Sequence, residues 1–133
     1  MAGGATRSRG PLVTTAAGMI LHITTGDAWN DARTSGAYRG DTLDTEGFIH
    51  CSTPEQLLGP ANAMFRGRHG LVLLCIETAK VKANIRYEDL SDEGQEFPHI
   101  HGPLNTDAVF AVVDFPPSSD GSFTLPADLP AGV

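Results

Sequence analysis

Four of the five histidines in this 133-residue chain stand among apolar residues: His22 in MILHIT, His50 in GFIHCST, His99 and His101 in FPHIHGPL. Imidazole gains and loses its proton near neutrality, so it serves as general acid, general base or metal ligand. Alternation along a strand sends neighbouring side chains to opposite sides. In GFIHCS this groups Phe48, His50 and Ser52, with Ile49 and Cys51 facing a core. In FPHIH it groups Phe97, His99 and His101. In the first segment Ile20, His22 and Thr24 share a side. A cluster of histidines on a polar cleft is therefore expected, with His22, His50, His99 and Glu88 as catalytic candidates. Glu88, in Arg86-Tyr87-Glu88, is either the carboxylate of the cleft or half of a surface pair with Arg86. Cys51 points away from His50 on a strand and cannot pass it a proton, so it is not read as a nucleophile.

Ser52 is expected to end its strand just before a capped helix, whose free amides would draw a phosphate or carboxylate to that point. The capping signal is Thr53-Pro54-Glu55-Gln56: threonine at the N-cap, proline at the first helical position, glutamine at the third. Gly59-Pro60 is expected to kink that helix early. Upstream, Met19 to Thr24 reads as a strand. A helix follows, with Asp27 near its start, Trp29 on its apolar side and Gly36 at its stop. Gly47 to Ser52, Leu71 to Ile76, Ile85 to Glu88 and Ala108 to Phe115 read as strands, and Ser122 to Leu125 as an edge strand. Strands outnumber the two helices, which fall in the N-terminal half, so the fold class is α+β. Residues 1–18 are aperiodic and read as a disordered leader. One domain is expected over 19–125, with a flexible tail over 126–133.

A hydrophobic share of 41% with scattered charge describes a chain that folds around one core. The formal net charge of −7 speaks against nucleic acid as a partner, since phosphate binding needs clustered cations and only Arg66, Arg68 and His69 lie together. The longest apolar run, Leu71 to Ile76, is too short for a bilayer, so no membrane is expected. Cys51 and Cys75 lack metal or redox spacing and suggest a reduced, cytoplasmic protein.

The stretches HIT at His22, Trp29, GFIHCST with Gln56, Arg86-Tyr87-Glu88 and FPHIHGPL, followed by the strand to Val113, resemble the bacterial domain-of-unknown-function family numbered 952. The resemblance runs from Met19 to about Phe115. One departure stands at His101, where the family usually carries tyrosine. The family is grouped with ADP-ribosyltransferase-like folds, which implies a small split antiparallel sheet around a nicotinamide-dinucleotide cleft. Carried over, His22 would contact the ribose or nicotinamide, His50 with Ser52 would form the middle wall, and Glu88 would hold the reacting ribose.

Three functions compete on this reading. In the first, the cleft binds a nucleotide-like or anionic small molecule, with NAD as the cofactor or substrate. Trp29, Ser52, Gln56, Phe97 and His101 would then contact the ligand. In the second, His99 and His101 hold a metal with His22 or His50. In the third, the domain binds a ligand or a partner without catalysis. The oligomeric state is left open.

Overall fold

Strand β4 (Leu71–Glu77) runs through the middle of the molecule, and its first six residues are all buried. A strand covered on both faces reads as an unbroken apolar run, which is why Leu71–Ile76 shows no alternation. Val72, Leu74 and Ile76 enter one hydrophobic cluster, with Ile20, Trp29, Ile49, Ile100 and Leu104. Leu71, Leu73 and Cys75 enter a second, with Leu21, Leu57, Ala61, Phe115 and Phe123. Leu129 packs against the second.

The computed structural model describes residues 18–131. The expected leader over 1–18 thus lies, apart from Gly18, outside the described residues. The order is β1 (Met19–Thr25), α1 (Gly26–Ser35), β2 (Ala37–Tyr38), α2 (Leu43–Glu46), β3 (Ile49–His50) and α3 (Leu58–Met64). After β4 come β5 (Asn84–Glu88), β6 (Phe97–His101), β7 (Leu104–Asn105) and β8 (Val109–Asp114). β1, β4 and β8 form one antiparallel sheet with β4 central; β3, β6 and β5 form another with β6 central. β2 pairs with β7 in a ribbon of its own. The two larger sheets meet at an antiparallel bridge, Leu21 with Ser52, whose amides and carbonyls exchange bonds of 2.7 and 2.8 Å. The molecule is a small α+β domain with antiparallel sheets, and α1, α2 and α3 all precede β4.

Local chemistry sets several boundaries. Thr25 caps α1, its hydroxyl oxygen accepting from the Ala28 amide at 3.1 Å, and Gly36 ends the helix at φ 87°. The second capping signal acts differently from expectation. The Gln56 carbonyl oxygen accepts from the Thr53 amide at 3.1 Å, but turns follow and α3 begins only at Leu58. Pro60 then sits in the first turn of α3, where its missing N–H costs nothing, instead of kinking a longer helix. Ser122–Leu125 does not pair as a strand.

Candidate functional site

β3, β6 and β5 place their alternate residues as the sequence pattern requires. Ile49, Ile100 and Ile85 lie opposite one another and turn into the first cluster. The other face carries His50 opposite His99, and Arg86 opposite His99 on the far strand. Directly opposed residues share a face, so His50, His99, His101, Arg86, Glu88 and Phe97 lie together.

Glu88 is the hub of this face. Its Oε1 lies 2.9 Å from His99 Nδ1 and 2.9 Å from His101 Nε2. A carboxylate only accepts, so both imidazoles donate N–H to it. The His101 bond first and the His99 bond second hold the Glu88 carboxyl below its usual range, which keeps it ionised at neutral pH. His99 is buried at 4% exposure, whereas the side chains of His101 and Glu88 are about one quarter exposed, 24% and 26%. His50 Nε2 meets Glu46 Oε1 at 3.0 Å, four residues back along the chain. Phe48 packs among the imidazoles, its ring centroid 4.9 Å from His50, 4.7 Å from His99 and 5.3 Å from His101. These anchors leave His99 Nε2, His101 Nδ1 and His50 Nδ1 as the imidazole nitrogens not engaged by a carboxylate. Arg86 is exposed and forms no ion pair among the described residues, so the surface pair with Glu88 is not made.

His22 lies elsewhere. It stands opposite Leu74 on the first-cluster side of β1. Its Nδ1 donates to the His50 carbonyl at 2.5 Å, and its Nε2 lies 2.7 Å from the phenol of Tyr38. The phenol oxygen is also 2.9 Å from Thr24 Oγ1. Nδ1–H bound to a carbonyl fixes one tautomer, so Nε2 accepts the phenol proton. Burial drives the His22 pKa down from 6.5 to about 4, and burial likewise pushes Tyr38 up to about 12. His22 is a neutral pin holding the seam between the two sheets.

Three expected ligand contacts belong to the framework instead. Trp29 is buried at 8% exposure in the first cluster. Ser52 is buried, because its backbone carries the bridge to Leu21, and the late start of α3 leaves no helix end beside it. Gln56 spends its amide nitrogen on the Glu96 carbonyl at 2.6 Å and its oxygen on Thr53. Phe97 is half-buried on the histidine face, opposite Glu88. The metal alternative fails on geometry: among the described residues no three His, Cys, Asp or Glu are placed to hold an ion. His99 and His101 instead share one carboxylate oxygen. Cys51 and Cys75 are free and buried, and desolvation raises both thiol pKa values, Cys75 to about 11.

Tyr38, Phe48 and Glu46 carry this arrangement and were not among the expected site residues. Phe48 is visible in the alternation that selects His50. Tyr38 has no local signal, since its partner is 16 residues away. Two shallow depressions lie off the histidine face, one of about 520 Å³ between α1 and β8 and one of about 320 Å³ near Gly70 and Pro116. The histidine face carries the titratable groups, so it remains the candidate. No helix among the described residues is long and apolar enough to cross a membrane.

No curated protein matches the chain. Two crystal structures of protein CC0527 from Caulobacter crescentus, one of them of a double mutant, are similar at 33% identity. Each match covers 80% of this chain and 93% of that one, with TM-scores of 0.72 and, for the mutant, 0.71. A solution structure of CC0527 is similar at 32% identity over 78% of this chain and 90% of that one, with a TM-score of 0.68. The profile described as "Protein of unknown function (DUF952)" matches residues 23–112, which span both sheets and every residue of the histidine face, and the chain belongs to that family.

Proposed function

We propose that the histidine face binds a small nucleotide-like molecule, NAD being the leading case, and that the protein is an enzyme or enzyme relative of the ADP-ribosyltransferase-like kind. The observation that carries this reading is Glu88, an ionised carboxylate fixed by two imidazoles beside the Phe48 ring. A fixed anion suits a cationic ring and the positive charge that develops on a ribose as its bond to nitrogen breaks. The exposed Arg86 guanidinium on the same face suits a phosphate. His99 or His101 then takes the proton of the incoming nucleophile through its unengaged nitrogen. His101, in place of the family's usual tyrosine, adds a second imidazole to Glu88 in this chain. Two buried, unpaired thiols fit a reducing cytoplasm.

Calorimetric titration with NAD, ADP-ribose and nicotinamide tests the reading. Binding of at least one, weakened tenfold or more by Glu88→Gln, is expected. Failure of all three at saturating concentration overturns it. Binding without turnover keeps the ligand and makes the domain a binding module.

A further inference from the structure

We infer that the free edge of β8, together with the outer side of α1, is the surface on which a second copy of this chain pairs about a two-fold axis. β8 ends its sheet, and among the described residues no backbone bond reaches its outer edge. The Phe115 amide donates inward to Leu71, so by alternation the amides and carbonyls of Asp114 and Val112 point outward. Beside that edge Phe110 and Val112 are exposed at 38% and 41%, on the lining of the 520 Å³ depression. An open edge flanked by apolar side chains is the ordinary template for strand pairing.

Charge selects the partner. α1 runs antiparallel to β8: Gly26 at its start donates to Gly70, next to the residue that holds Phe115, and Gly36 at its end accepts from Thr106. Arg33, in the last turn of α1, therefore sits at the Val109 end of the depression, and Asp114 sits at the other. Neither forms an ion pair among the described residues. An antiparallel second β8, centred on Val112, puts Val112 against Val112. It also brings the Asp114 end of each copy to the Arg33 end of the other. The surface is thus complementary to itself, as a two-fold interface requires. The bulge between Cys75 and Ile76 falls at Phe110, which this register sets opposite Asp114 of the second copy.

Sedimentation velocity over a concentration series tests this. The expected species is twice the 14.0 kDa chain mass. Val112→Lys, at an exposed position, should give a monomer with unchanged circular dichroism. Arg33→Asp should weaken the dimer about tenfold or more, and Arg33→Asp combined with Asp114→Arg should restore it. A wild-type chain that stays monomeric at every concentration overturns the inference. So does a dimer that neither Val112→Lys nor Arg33→Asp weakens. If Val112→Lys fails to fold, the charge exchange decides alone.

Discussion

His22 has two ring nitrogens and both are occupied, one by a carbonyl that only accepts and one by the Tyr38 phenol. Protonation would place a second N–H against that phenol inside a desolvated site, so the folded chain resists it down to about pH 4. The unfolded chain takes the proton near the ordinary value of 6.5. Folding therefore excludes a proton that the unfolded state binds, and stability falls as pH drops between those values, by up to about 1.4 kcal/mol per pH unit. Above 6.5 this contribution to the pH dependence vanishes. Urea unfolding at about pH 7.5 and about pH 4.5 should show the loss in the wild type, and His22→Gln, which cannot be protonated, should show less of it. An identical pH slope in both proteins would contradict the pinned, neutral imidazole. The histidines themselves were legible as unusual residues in apolar surroundings. The partners of His22 were not, because Tyr38 and the His50 carbonyl reach it across 16 and 28 residues of chain.

Strands whose two faces meet different surroundings declare themselves, and β3 and β6 do so in four residues: Ile49 and Ile100 are fully buried, while His50 and His99 face the other way. Helix starts were harder. The Thr53–Gln56 contact forms as one half of a capping box would make it, yet turns follow and regular helix begins only at Leu58. Ser52 was misplaced because its role follows from a bridge to Leu21, on a strand distant in sequence. The turn after β6 rests on the glycine of HGPL, where the chain leaves β6. Gly102 has φ 154°, and a Cβ there would lie 2.9 Å from the Ala83 Cβ. Gly102→Ala should cost about 1–3 kcal/mol and displace the neighbouring His101 from Glu88. Chemical denaturation measures the first effect and the imidazole NMR signals the second. A variant within about 0.5 kcal/mol of wild type would show that the β5–β6 end relaxes freely.

At the scale of the whole molecule, two three-stranded sheets share a narrow seam at the Leu21–Ser52 bridge, and the interior is divided by β4 into two clusters. Each cluster contains one buried thiol, Cys51 in the first and Cys75 in the second. Burial raises both thiol pKa values, so the native protein should react with a disulfide reagent only as fast as it opens. Immediate labelling of either cysteine under native conditions would mean that its cluster is accessible without unfolding. The single tryptophan adds a second kind of reporter, because Trp29 lies in the first cluster alone. Its emission follows the loosening of one side of the central strand, while alkylation of Cys75 clocks the other. If the two sides melt as one, fluorescence and Cys75 labelling trace a single curve; if the seam parts first, the two records separate, without any label having to be engineered into the chain.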